Sequence, residues 1–519
     1  MGIFSSPVVL ATLAVVVTLG LYKLSRVGRR EPGLPPGPPT IPILGNIHQI
    51  PMRGIHKQLL EWARKYGPIY SLKIGPGTMV VLTGRKEIHD IMDKRSAIYS
   101  SRPADYVGEL ITGGEKMEHM PNNHMWRAQR KIVAQTVTPR TLDAKVAPLQ
   151  EAENAVLLHD LLRTPADFSQ HVKRTAVSVA NIIVWGHRGP TFASFWGGTP
   201  YRSLAGFSAA MELGANPPIE QFPFLKLLPA RLAPWVRRAR VPNAAMKRTW
   251  GKARRLAEAR RARGVRREAM FDRIVDGEIV PDVPIGEAGL NHFLGTMVEG
   301  GSETSAGQML TSILHLALHP EVQAKAREEL DVVCGPDRVP VWEDFDRLPY
   351  INCIVKEGVR IRPVGALGVP HSNTQDDWYE GMFIPKDSMI VLPIYAVNRL
   401  ESNGYKDPAV YNPDRWIGQT RIAAELAGLA DYENRDNYGA GRRVCPGMHL
   451  AERTMWRMTA KILWAFEIIP IDVDPENYDE GIMHAPEPYK LEFRPRSDAH
   501  VKTIMREAEP ALEFLAKYE

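Results

Sequence analysis

The 519-residue chain carries 65 Lys+Arg against 59 Asp+Glu, a net charge of +6, with 44% hydrophobic residues and 3 Cys. That composition excludes a disordered chain, and the wide spacing of Cys334, Cys353 and Cys445 excludes a disulfide scaffold, a Cys-x-x-Cys zinc site and a c-type haem attachment sequence. The mild charge gives little reason to expect nucleic acid as a partner, and the uneven cysteine count suits a reducing compartment.

From Ile3 to Leu24 the chain is almost wholly apolar, with no charge before Lys23. About 20 such residues cross a bilayer as a helix. Basic residues follow the run, at Lys23, Arg26, Arg29 and Arg30, whereas a signal peptide, the alternative, starts basic and ends at a small-residue cleavage site. Residues 1–24 are therefore expected to anchor the chain, with the body on the cytosolic side that flanking cations prefer. Next, Pro32-Gly33-Leu34-Pro35-Pro36-Gly37-Pro38-Pro39 fixes φ and removes donors, which makes residues 25–41 a stiff basic spacer. Read alone, the same stretch would also suit a Pro-binding module.

Length alone allows about three domains, yet beyond Ile41 there is no second linker and no repeat. Alternation over Ile69–Ile74 and Met79–Leu82, around Gly75-Pro76-Gly77, predicts two strands and a turn. Most of the chain up to about Pro363 reads as helix, and strand-like pieces return at Met389–Leu392 and Lys490–Phe493. Residues 42–497 are expected to form one mainly α domain with a minor β-sheet, followed by an amphipathic tail at 498–519. The arginine-rich stretch between Arg231 and Arg267 reads first as a solvated helix face, with anionic lipid as the second reading.

The sequence lacks a phosphate-binding loop, His-Glu-x-x-His and Gly-x-Ser-x-Gly. In Gly439-Ala440-Gly441, Val444 takes the third position of a dinucleotide fingerprint, so that site is absent too. Instead, Tyr438-Gly439-Ala440-Gly441-Arg442-Arg443-Val444-Cys445-Pro446-Gly447 places a cysteine among glycines with Arg443 two residues before it. Such surroundings favour a thiolate, and a thiolate at a loop-to-helix junction suits a haem iron. The segment resembles the cysteine-ligand loop of the cytochrome P-450 family, Phe-x-x-Gly-x-Arg-x-Cys-x-Gly, with Tyr438 in place of the usual Phe.

Three further matches follow the family's order. Glu357-Gly358-Val359-Arg360 resembles its Glu-x-x-Arg, and i, i+3 spacing puts both charges on one helix face. With Arg415 of Pro413-Asp414-Arg415-Trp416, the resemblance implies a structural triad that locks the cysteine loop. Gly300-Gly301-Ser302-Glu303-Thr304 is similar to the oxygen-activation motif. Two glycines inside a helix cost about 1 kcal/mol each and suggest a local opening. By resemblance, Thr304 hydrogen-bonds dioxygen during its activation and Glu303 helps deliver protons. Trp126 and Arg130, four residues apart, match the pair that clasps a haem propionate, with Arg443 and His371 as further partners.

The resemblance implies a cytochrome P-450 fold and a monooxygenase that uses haem b with Cys445 as the axial thiolate. It also implies electrons from NADPH through the membrane NADPH–cytochrome P-450 reductase, with cytochrome b5 as a second donor, at the endoplasmic-reticulum membrane. Arg127, Lys131 and Arg442 are the expected docking patch for the reductase. The substrate is expected to be a hydrophobic or aromatic small molecule, bounded by 103–123, 297–304, 364–369 and 482–484, including Tyr106, Val107, Ile111, Met297, Leu367 and Met483. Asp376–Gly381 and Phe383-Ile384-Pro385 are similar to enzymes of filamentous fungi that tailor polyketide or phenolic secondary metabolites. A haem-thiolate isomerase, dehydratase or peroxygenase, or a non-catalytic haem protein, is the alternative.

Overall fold

The computed structural model describes residues 7–212, 214–419, 421–422 and 435–519. The first helix, α1, covers Pro7–Arg26. Residues 1–6 and several α1 side chains lie outside the described residues, so the expected anchor falls partly outside them. Among the described residues no helix is long and apolar enough to cross a membrane.

The predicted strands form at β1 (Ile69–Ile74) and β2 (Gly77–Leu82), paired antiparallel with Ile69 opposite Leu82. Helices then dominate: α2 (His124–Thr136), α3 (Phe168–Trp185), α4 (Phe195–Met211), α5 (Pro234–Ala262), α6 (Glu287–Leu318) and α7 (Pro349–Ile361). Two short strands, β3 (His371–Ser372) and β4 (Met389–Val391), complete the first sheet in the order β1-β2-β4-β3, with β4 parallel to β2. The chain closes with α8 (Met448–Ala465), the antiparallel pair β5 (Phe466–Asp472) and β6 (Lys490–Pro495), and α9 (Asp498–Ala516). The tail predicted as an amphipathic helix is α9, which buries Ile504, Ala511 and Leu515.

The axis of the molecule is α6, 32 residues and about 48 Å long at 1.5 Å per residue. Most of its residues are buried, polar ones such as Asn291, Ser305 and Gln308 among them. Phe293, Leu294, Val298, Met309 and Ile313 share one core with Val177 and Ala180 of α3 and Trp456 and Leu463 of α8. Local chemistry sets the ends of the elements that matter. Asn123 caps α2 by accepting the Trp126 N–H at 2.8 Å, which fixes the turn bearing Trp126 and Arg130. Pro349 opens α7, where its missing N–H costs nothing.

Candidate functional site

Cys445 lies between a 3-10 turn, Gly441–Arg443, and the start of α8. Its N–H donates to the Tyr438 carbonyl at 2.8 Å, so Tyr438 holds the loop through its backbone while its hydroxyl faces Glu452. Gly441 has φ +61°, and a Cβ there would stand 2.2 Å from the Met92 carbonyl; only glycine fits that approach. Burial pushes the Cys445 thiol up, opposed by the Gly447 N–H and the charge of Arg130. The expectation that Arg443 favours the thiolate is corrected here. Its guanidinium turns away, donating to the Ser100 and Met120 carbonyls at 2.8 and 2.6 Å. The cation beside the sulfur is Arg130, whose Nη2 donates to the Val444 carbonyl at 2.8 Å.

Around Arg443 the structure gathers the other residues expected to hold the cofactor. Its guanidinium lies over the Trp126 ring at 3.9 Å, a cation–π contact, and its Nη1 is buried without a hydrogen-bond partner. His371, on β3, takes up the Tyr99 carbonyl through Nδ1 at 2.9 Å. Burial, then Arg102 and Arg130, drive the Arg443 pKa down to about 8. Burial, then Arg102, hold His371 near 3. Arg102, whose Nε donates to the Glu118 carbonyl at 2.7 Å, is itself lowered to about 10, chiefly by burial. The sequence reading missed Arg102, for a single Arg before Pro103 in a loop carries no periodic signal. Arg102 and Arg130 both depress Arg443, which keeps an orphan N–H, and the three guanidiniums form a cradle for an anion. The two carboxylates of a haem beside a cysteine loop fit that cradle.

Glu303 and Thr304 stand together on α6. The helix runs unbroken through Gly300 and Gly301, which corrects the expected local opening. The hydroxyls of Ser302 and Thr304 fold back on the Val298 and Gly300 carbonyls at 2.6 and 2.7 Å, the i−4 bonding open to Ser and Thr inside a helix. The glycines act through size instead. A Cβ on Gly300 meets nothing within 4 Å, so the helix faces open space there, while one on Gly301 would touch Ala180 of α3 at 3.5 Å. Glu303 Oε2 is buried without a partner. Burial first, then Glu299, raises its pKa to about 7.

Behind the cysteine loop the expected triad is assembled. Arg360 binds Glu357 in bidentate fashion at 2.8 Å and 2.8 Å, both groups fully buried, and Arg415 Nε joins at 3.2 Å. Trp416 Nε1 and the Asn412 N–H add bonds of 2.9 and 2.7 Å. Asn398 ties this knot to the loop, donating to the Arg360 carbonyl at 3.1 Å and to Asn437, next to Tyr438, at 2.6 Å.

The segments expected to bound a substrate are only partly brought together. Tyr106, Val107, Ile111 and Met297 belong to one apolar core. Leu367 packs instead against a separate cluster with Leu59 and Tyr395. Val364 and Ala485 flank Gly307, one turn beyond Glu303, but His484 turns its ring to His56 and Tyr478. Arg127, Lys131 and Arg442 are exposed, and Lys131 pairs with Asp282 at 2.7 Å.

A model of the cytochrome P-450 family matches residues 35–493. Cytochrome P-450 monooxygenase macC of Penicillium terrestre is 40% identical over 98% of this chain and 98% of its own length. The monooxygenase yanC of Aspergillus niger is 39% identical over 98% and 97%. A zebrafish cytochrome P-450 solved with abiraterone shares the fold, with a TM-score of 0.67 and 20% identity, over 85% of this chain and 100% of that chain. The chain belongs to the cytochrome P-450 family. It is an oxidoreductase of the monooxygenase class, and the family implies a haem-thiolate centre.

Proposed function

We propose that this enzyme inserts one oxygen atom of O2 into a hydrophobic or aromatic small molecule of fungal secondary metabolism, a polyketide or phenolic compound. Electrons come from NADPH through cytochrome P-450 reductase, with cytochrome b5 as a second donor. The observation that carries the reading is the cationic cradle beside Cys445, in which Arg443 buries an unpartnered N–H. Cys445 ligates haem b, and Trp126, Arg130, His371 and Arg443, joined by Arg102, hold its propionates. When bound, the haem supplies oxygen activation, to which a thiolate ligand lends electron density.

The protein's own part is to position groups and handle protons. The Glu357 knot keeps the cysteine loop in place. Thr304 offers a hydroxyl beside the open side of α6 at Gly300. Glu303, with a pKa near 7, gives and regains a proton at Oε2 under neutral conditions. Residues 1–24 anchor the enzyme in the endoplasmic-reticulum membrane, with the body in the cytosol. This rests on the apolar run and its basic flank, and on Val15, Leu19 and Tyr22 of α1, each more than half exposed.

Two measurements test the proposal. Reduced, CO-treated protein is expected to show the thiolate-type Soret band and Cys445→Ala to lose it; a band that persists in the variant overturns the ligand assignment. Incubation with reductase, NADPH and extracted host metabolites is expected to yield products heavier by one oxygen. Turnover that needs no NADPH would favour the isomerase or peroxygenase reading.

A further inference from the structure

One face of α6 leads to Glu303 through polar groups that nothing above uses. His292, Thr296, Glu299 and Glu303 follow one another at spacings of four, three and four residues, so they line one side of the helix. The first three are only 4%, 4% and 2% exposed. Each of the four leaves polar atoms without a protein partner: both ring nitrogens of His292, Thr296 Oγ1, Glu299 Oε1 and Glu303 Oε2. Buried polar atoms are almost always hydrogen-bonded, by ordered water where the protein offers nothing. Side chains three and four apart on a helix are neighbours, with Cβ atoms about 5–6 Å apart, close enough for ordered waters with hydrogen bonds of about 2.8 Å to link their polar ends.

The two ends of the row are different. At His292 it meets a surface pocket of about 390 Å³, lined by Lys247, Trp250 and Asn291 among others. At Glu303 it reaches the residue beside Thr304, about 16 Å further along the helix at 1.5 Å per residue. We infer that this face of α6 carries a chain of ordered waters that conducts protons from the surface pocket past His292, Thr296 and Glu299 to Glu303. The inference rests on the oxygen-activation reading above and adds the route by which Glu303 is resupplied.

The side chains suit that task. Burial first, then Lys116 and Lys247, lowers His292 to about 4, so near neutrality its ring is uncharged and can accept at one nitrogen while donating at the other. Lys116 Nζ holds Glu299 Oε2 at 2.7 Å and Glu118 at 2.9 Å, which pins the carboxylate and leaves Oε1 for water. Around Glu303 the charged groups are Glu299, Lys173 of α3, Lys116 and Asp479, with Tyr201 of α4 beside them. One proton enters at the pocket for each that leaves Glu303. No electron moves, and only O–H and N–H bonds form and break.

The test uses the full-length holoenzyme with its reductase. Thr296→Val removes the hydroxyl at nearly constant volume and Glu299→Gln removes the carboxylate. Both variants are expected to keep the CO-difference band yet raise peroxide released per NADPH and lower coupled turnover by about tenfold, with an enlarged solvent deuterium isotope effect. Thr296→Ser is expected to restore both values. A high-resolution crystal structure of the wild type is expected to hold waters between the four side chains. Unchanged coupling and isotope effect in both variants, with Thr304→Ala uncoupled, overturns the relay and leaves the oxygen-activation reading standing. If Thr304→Ala is also fully coupled, that reading fails with it. A dry helix face in the crystal overturns the relay alone.

Discussion

Two buried carboxylate sites in this protein invite comparison. Glu357 receives five donors on its two oxygens, from Arg360 Nε and Nη2, Asn412 N, Arg415 Nε and Trp416 Nε1. Glu299 and Glu303, on α6, each retain an oxygen with no partner. A saturated carboxylate is fixed in charge and position, whereas an unfilled one sits where its proton can come and go. The first site holds a loop still, and the second is the one proposed to move protons.

The largest effect should come from emptying the saturated site. Glu357→Ala leaves the fully buried Arg360 without its counter-ion, which costs about 3–5 kcal/mol. Chemical denaturation and holoprotein yield should both fall sharply. A variant of near-normal stability would show that the knot is not what holds the cysteine loop.

Arg443→Leu comes next. It removes an orphan N–H and the repulsion with Arg102 and Arg130 but also strips the buried Ser100 and Met120 carbonyls of their donors, so some stability is expected to be lost while haem escapes faster. A charge-assisted bond to a carboxylate contributes about 1.5–3 kcal/mol, which is about ten- to a hundredfold in haem dissociation, read by transfer to apomyoglobin. Unaltered transfer would mean that the cradle holds some other anion.

Glu303→Gln should do the opposite of Glu357→Ala to stability. A carboxyl raised from 4.5 to about 7, first by burial, binds its proton more tightly folded than unfolded. Its contribution is complete below the unfolded value and is lost as pH rises through 7. The wild type should therefore lose stability relative to E303Q between about pH 5 and pH 8, with turnover uncoupled in the variant. Parallel melting-temperature profiles for the two proteins across that range would contradict the shifted carboxyl.

Much of the saturated side was legible in the sequence, because its residues sit in short segments with fixed spacing: Glu357 with Arg360, Arg415 within Pro413–Trp416, Cys445 within its glycine loop. What escaped were partners recruited from afar. Arg102 reaches the cradle from a loop, Asn398 links the knot to Asn437, and the cation near the sulfur is Arg130 and not the adjacent Arg443, because folding distance differs from chain distance. The row from His292 to Glu303 was legible in principle, as polar residues at helical spacing on one face of α6. It lacked meaning until burial showed those groups without partners. Similarly, burial raises all three thiols, so what separates Cys445 from Cys334 and Cys353 is its glycine loop, with the Gly447 N–H opposing that rise.

The smallest effect extends the contrast between filled and unfilled charges to the surface. Lys131 spends its ammonium on Asp282 at 2.7 Å, both side chains about half exposed, whereas Arg127 lies exposed next to Trp126 and Arg442 exposed three residues before Cys445. Arg127 shares α2 with Arg130, which touches the cysteine loop, so a reductase docked there would face the thiolate side. Exposed charge pairs contribute about 0.2–1 kcal/mol, so Arg127→Glu or Arg442→Glu should slow reduction about two- to fivefold in dilute buffer. The effect should fade toward 1 M salt, where the Debye length falls to about 3 Å. Lys131→Glu should do less, because Asp282 already offsets that charge. Equal rates for all three variants at low salt, by stopped-flow reduction under CO, would remove this face from the docking surface.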